Sequence, residues 1–159
     1  MTTLIVYDSA YGNTGRLAEA VATALPGSIV RRIGEVNPAN LPPAKIIIAG
    51  SPTQGGQPTK GMQAWLAAIP RGGLNGVAVA AFDTRIAAKE QGFALRLIMG
   101  VIGYAAPRVL EAMQGRGGLA VTSPEGFIVD GREGPLHTGE LDRAAAWARS
   151  LAVQEVRAA

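Results

Sequence analysis

The sequence predicts an α/β fold: one domain over residues 1–159, built as a doubly wound, five-stranded parallel sheet in the order 2-1-3-4-5 with helices on both faces. Three observations carry this reading. Short apolar runs alternate with helical patterns along the chain, as in repeated strand-helix-strand units. The two clearest runs, KIIIAG at 45–50 and GVAVAAF at 76–82, are apolar at consecutive positions, the pattern of strands covered on both faces. The first run ends in DSAYGNTGR at 8–16, a cluster of small hydrogen-bonding residues where a strand hands over to a helix.

Each element has a local reason. Thr3–Tyr7 is a short apolar run closed by turn residues, hence a strand. Thr14–Leu25 places Leu17, Val21, Ala24 and Leu25 at i, i+4, i+7 and i+8, one face of a helix, and Pro26-Gly27 stops it. Ser28–Arg32 reads as a second, weaker strand, and the Pro- and Asn-rich stretch 34–43 as a connection. Lys45–Gly50 is the third strand in the reading, with a loop at 51–58 behind it. Thr59–Ile69 then puts Met62, Trp65, Leu66 and Ile69 on one helical face. Gly76–Phe82 is the next strand, a loop at 83–91 follows, and a helix is expected from about Gly92 to Gly103. Arg108–Met113 reads as the fifth strand, broken at 115–118, with a strand-like piece at Phe127–Asp130. From Thr138 to about Val156, Leu141, Ala144, Ala145, Ala148 and Leu151 form the inner face of a closing helix.

Composition narrows the function classes. With 48% hydrophobic and 17% charged residues the chain is globular, not disordered. It has no cysteine, which excludes a disulfide scaffold, a thiol nucleophile and cysteine-held metals, and fits a reducing compartment. No apolar run is long enough for a membrane span and no charged leader precedes Leu4, so a soluble cytoplasmic protein is expected. The net charge of +3 is mild, and no basic stripe interleaved with aromatics marks a nucleic-acid surface. A single histidine, His137, leaves no transition-metal donor set and no serine–histidine pair to assign, so no catalytic residue is named. His137 reads as an exposed or capping residue before the last helix, and Trp65 and Trp147 as core.

In a sheet of this order, ligands bind at the carboxyl ends of the strands near the switch point between strands 1 and 3, which selects the loops 8–14, 51–58 and 83–91. A helix N-terminus behind the first loop offers unpaired N–H groups and about half a positive charge. Ser9, Asn13 and Thr14 add side-chain donors, and Gly12 allows close backbone approach. That is an anion cradle without Lys or Arg, suited to a monophosphate. Neither the P-loop pattern nor the dinucleotide G-x-G-x-x-G pattern is present. On residues alone, an ordinary strand-to-helix turn capped by Asn13 or Thr14 remains open.

Ser9-Ala10-Tyr11-Gly12-Asn13-Thr14 resembles the phosphate-binding loop of flavodoxins, Ser/Thr-x-x-Gly-x-Thr after the first strand. Gly50-Ser51-Pro52-Thr53 with Gln54-Gly55-Gly56 resembles the family's second flavin loop, and Phe82-Asp83-Thr84-Arg85 the start of the third loop in one branch. Gly126–Val129, Gly134-Pro135-Leu136 and Gly139–Ala144 are similar to that branch's C-terminal signature. The resemblance implies flavin mononucleotide (FMN), with its phosphate on Ser9, Ala10 and Tyr11–Thr14 and its ring between Ser51–Gly56 and Asp83, Thr84 and Arg85. It implies electron transfer with a redox partner protein, and a peptide in the second loop that flips on reduction. Gly55-Gly56 permits such a flip or simply makes a tight turn. Tyr11 covers either the ribityl chain or the surface. The chain departs from familiar flavodoxins in two ways. Loop 51–58 has no aromatic residue and loop 83–91 has none before Phe93, and the net charge is positive, with Arg85 and Lys89 in the third loop. Two alternatives follow: a module of this fold that binds flavin weakly or not at all and serves regulation, and an FMN-dependent quinone-type reductase.

Overall fold

The computed structural model describes residues 2–87, 92 and 103–158. The stretch 88–91, Lys89 included, and the helix expected at 92–103, apart from Gly92 and Gly103 at its ends, lie outside the described residues. The elements are β1 (Thr3–Tyr7), α1 (Asn13–Ala24), β2 (Ile29–Arg32), a single 3-10 turn (Ile33–Glu35), β3 (Ile46–Pro52) and α2 (Lys60–Ala67). They continue with β4 (Ala78–Ile86), α3 (Ala105–Gly115), β5 (Leu119–Ala120), β6 (Glu125–Val129) and α4 (Glu140–Ala158). The strands form one parallel sheet, ordered β2-β1-β3-β4-β5, with β6 also on β4.

Consecutive side chains of a strand point to opposite faces, so a strand buried on both sides is apolar throughout. On one face Leu4, Val6, Ile47, Ala49, Val79 and Ala81 pack against Met62, Trp65 and Leu66 of α2 and Ala106, Val109 and Met113 of α3. On the other, Ile5, Ile46, Ile48, Ala80 and Phe82 pack against Leu17 and Val21 of α1 and Ala144, Trp147 and Ala148 of α4. Trp65 is core, its indole N–H donating to the Val36 carbonyl at 2.9 Å. Trp147 is buried edge-on to Phe82 and Phe127, with ring centroids 6.1 Å apart in each pair.

Two expectations are corrected. Arg108–Met113 is not a strand but lies inside α3. Ala106, Val109, Leu110 and Met113 are spaced i, i+3, i+4 and i+7 and are buried on the face toward the sheet, so helical periodicity overrides the local β-like run Val109-Leu110. The fifth sheet position is filled by two short segments instead of one strand. β5 pairs with Ala78 and Val79, and β6 pairs with Phe82–Ile86, with residues 121–124 between them. The second correction concerns loop boundaries. β3 runs through Ser51 and Pro52, and β4 runs through Asp83, Thr84 and Arg85, so these five residues are strand, not loop. The longer strands carry both chains further into the crevice. No helix among the described residues is long and apolar enough to cross a membrane.

Candidate functional site

A cavity of about 460 Å³ opens at the carboxyl ends of β1, β3 and β4. Small-molecule sites commonly hold ~300–1,000 Å³. Ala10 and Tyr11 of the first loop line it, with Pro52, Thr53, Gln54 and Gly55 of the second and Thr84 and Arg85 of β4. The structure therefore brings residues from all three predicted segments to one place. Ile86, Val129 and Arg132 also line it, and sequence reasoning did not name them as site residues.

The first loop is organised by its own hydrogen bonds. The Asp8 carboxylate accepts the Ser9 N–H at 2.9 Å and the Thr59 hydroxyl at 2.6 Å. The Ser9 hydroxyl oxygen accepts the Gly12 N–H at 3.0 Å, and the Arg32 guanidinium donates to the Ser9 carbonyl. Helix α1 starts behind Gly12 with no side-chain cap. Arg16 N–H is the first to close a helical bond, to the Gly12 carbonyl. The Asn13, Thr14 and Gly15 N–H groups have no hydrogen-bond partner among the described residues. Neither Asn13 nor Thr14 acts as the cap, so the ordinary capped-turn reading of this junction fails here. Three uncapped donors at a helix N-terminus fit an anion.

Two predicted donor side chains are partly committed elsewhere. Asn13 Nδ2 donates to the Glu133 carbonyl at 3.0 Å, and the Thr14 and Thr84 hydroxyls meet at 3.2 Å, both buried. The first bond shows what the C-terminal signature does. Between Val129 and Leu136, which bridge antiparallel, the chain turns back over the first loop. Gly134 lies so close that a Cβ there would fall 2.6 Å from Asn13 Nδ2. This excursion also brings Arg132 to the cavity. His137 beside it is exposed and pairs with Asp130 at 2.7 Å.

The second loop is a tight turn closed by reciprocal bonds, Gln54 N–H to the Gln57 carbonyl at 2.8 Å and Gln57 N–H to the Gln54 carbonyl at 3.1 Å. Ser51 is fully buried, its hydroxyl oxygen accepting the Thr59 N–H at 3.0 Å. Thr53 N–H donates to the Thr84 carbonyl, and Thr53 Oγ1 accepts the Ala105 N–H at 3.0 Å. Gly56 is buried and does not line the cavity.

Asp83 lies behind the cavity wall, fully buried. Its two oxygens take a two-point pair from Arg85, at 2.7 and 2.6 Å, and one also accepts the Ala106 N–H at 2.8 Å. Burial pushes its carboxyl above the ordinary value, against the pull of Arg85, the Ala106 N–H and Thr53. The Arg85 guanidinium is stacked 3.7 Å from the Tyr104 ring centre. Arg85 thus reaches the cavity with its charge already matched by a carboxylate, unlike the bare cation its place in the sequence suggests. Tyr104 was invisible as a site residue because nothing local links it to β4. Tyr11, about half exposed, is the one aromatic side chain lining the cavity among the described residues.

No protein-family model and no curated protein sequence matches the chain. Solved structures do. Oxidised flavodoxin 1 from Bacillus cereus superposes with a TM-score of 0.73 at 17% identity, covering 96% of this chain and 98% of that one. A flavodoxin from the domain Archaea gives 0.70 at 20% identity, covering 97% and 98%. The flavodiiron core Flv1 from Synechocystis sp. PCC6803 gives 0.69 at 17% identity, covering all of this chain and 37% of that one. The chain has the flavodoxin fold, which occurs both as a free-standing chain and as part of larger ones.

Proposed function

We propose that the protein binds FMN and transfers electrons with it. The observation that carries this reading is the uncapped N-terminus of α1, whose three N–H groups without a partner among the described residues follow directly on Ala10 and Tyr11, the first-loop residues that line a cavity reached from all three strand ends. A phosphomonoester is a guest of the right charge for those donors. Ser9, Ala10 and Tyr11–Thr14 would hold the phosphate. Pro52–Gly55, Thr84 and Arg85 would flank the ring, while Ser51, Gly56 and Asp83 support these walls from behind. The flavin supplies the redox chemistry, and the protein supplies binding, orientation and electrostatics.

The wall chemistry favours a carrier unlike familiar flavodoxins. Arg85 and Arg132 face the cavity, and Tyr11 is the one described aromatic there. A redox partner would meet a chain of mild net positive charge, with 15 basic against 12 acidic residues. The test is to load the purified protein with FMN and reduce it stepwise in the absence of oxygen. One FMN per chain, reversible reduction and onward transfer to a one-electron acceptor protein support the reading. Failure to bind FMN would overturn it and leave the flavin-free module; turnover of a quinone faster than transfer to a protein acceptor would favour the reductase.

A further inference from the structure

The turn at 54–57 has four carbonyl groups, and their partners differ. Those of Gln54 and Gln57 accept each other's N–H groups. That of Gly56 accepts Nε of Arg108 from α3 at 3.0 Å. The Gly55 carbonyl has no partner among the described residues, and Gly55 lines the cavity. Gly55 and Gly56 both sit at positive φ, +57° and +78°, where glycine alone is unstrained. The Gly55–Gly56 peptide is therefore the one unit of this turn left without an anchor.

The geometry points to Arg108 as a positioning residue that fixes the turn from its outer side and confines its freedom to the Gly55–Gly56 peptide. Helix α3 grips the loop at two points one turn apart. The Ala105 N–H holds Thr53, and Arg108 holds Gly56. On the helix side the first bond uses only the Ala105 backbone, so the side chain of Arg108 is the helix's specific part of the grip. Arg108 is itself exposed, whereas its neighbours Val109 and Leu110 are core, so its replacement leaves the packing of α3 intact. A wall that moves only at one peptide presents a cavity of fixed width with one adjustable acceptor. Its consequence for FMN rests on the reading above; its consequence for the turn does not.

The experiment compares wild type, Arg108→Ala and Arg116→Ala. Arg116 belongs to the far end of the same helix and donates to the Ala67 carbonyl, so its variant controls for loss of one arginine from this face. In the FMN-free protein, amide resonances of Gly55, Gly56 and Gln57 in Arg108→Ala should show new microsecond–millisecond exchange. Those of Ala105–Ala112 and of the first loop should be unchanged, and Arg116→Ala should match wild type. In the loaded protein, Arg108→Ala should weaken FMN about ten-fold, the effect of one exposed charge-assisted hydrogen bond at the low end of its range. The separation between the two one-electron potentials should also change. Wild-type dynamics at Gly55–Gln57 in Arg108→Ala would overturn the inference, as would broadening spread along α3, which would mark loss of the helix. If wild type binds no FMN, the proposed function fails while the resonance measurements still decide the role of Arg108.

Discussion

Thr59 joins the fold to the candidate site through one hydroxyl group. Its oxygen accepts the Met62 N–H at 3.1 Å as the N-cap of α2, and its hydrogen goes to Asp8 Oδ2 at 2.6 Å. Asp8 in turn accepts the Ser9 N–H at the start of the first loop. Replacing Thr59 by alanine removes a cap worth about 1 kcal/mol. It also removes a hydrogen bond to a carboxylate, ~1.5–3 kcal/mol in general. The low end applies, because the Asp8 side chain retains 18% exposure and water can replace the hydroxyl. The sum is about 2–3 kcal/mol, or roughly 5–10 °C in Tm for a chain of this size. Urea unfolding of wild type, Thr59→Ala and Thr59→Ser measures it. Serine keeps both bonds and should recover most of the loss. Combining Thr59→Ala with Asp8→Asn should cost less than the sum of the two single changes, since they share one bond. A loss below about 0.5 kcal/mol for alanine, or serine no better than alanine, would refute the reasoning; that is the size of an ordinary surface change.

Three further outcomes follow from the core and the closing helix. A Cβ at Gly50 would fall 2.2 Å from the Phe82 ring, which Phe127 and Trp147 hold edge-on. Gly50→Ala should therefore destabilise by about 3 kcal/mol, and Phe82→Leu should cost less in that background than in wild type, both read by urea unfolding. Glu140 is buried, which opposes its ionisation, but bonds from Arg143 and the Ile128 N–H outweigh burial and hold its carboxyl below the ordinary 4.5. The stability this supplies is present above pH 4.5 and is lost as pH falls through the lowered value. Glu140→Gln should thus be less stable than wild type at neutral pH, by about 1–2 kcal/mol given the exposure of Arg143, and the gap should close in acid. Hydrogen exchange should be slowest at Ile47 and Val79, in the paired central strands buried on both faces; rapid exchange at both would contradict the sheet as described.

The central strands were legible in the sequence because burial on both faces leaves a continuous apolar run, as Ile46–Ala49 and Val79–Phe82 show. The first loop was legible because strand, small residues and helix follow one another within 16 residues. The sheet edge is less legible. Val109-Leu110 looks like strand in a short window, and only the longer 106-109-110-113 spacing shows the helix. The true edge is two pieces: β5 is two residues long and exposed, too short to register as a run, whereas β6, Glu125–Val129, is the strand-like piece expected at Phe127–Asp130, shifted by one or two residues. The state of Arg85 was beyond reach. Asp83 is two positions away in the sequence, but the stacking of Arg85 on Tyr104 and the burial that makes the Asp83 pair matter come from α3 packing on β4. Likewise, nothing in the sequence near Gly134 says that it presses on Asn13, since the contact joins segments about 120 residues apart.

The central claim is that the uncapped start of α1 receives the phosphate of FMN. Parallel titrations of the FMN-free protein with FMN and with riboflavin, on wild type and Thr14→Ala, test it most directly. A phosphate accepting several backbone N–H groups is worth more than about 2 kcal/mol, so FMN should bind at least roughly thirty-fold more tightly than riboflavin. Thr14→Ala should weaken FMN and leave riboflavin nearly unchanged. Equal affinity of wild type for the two flavins would contradict the claim.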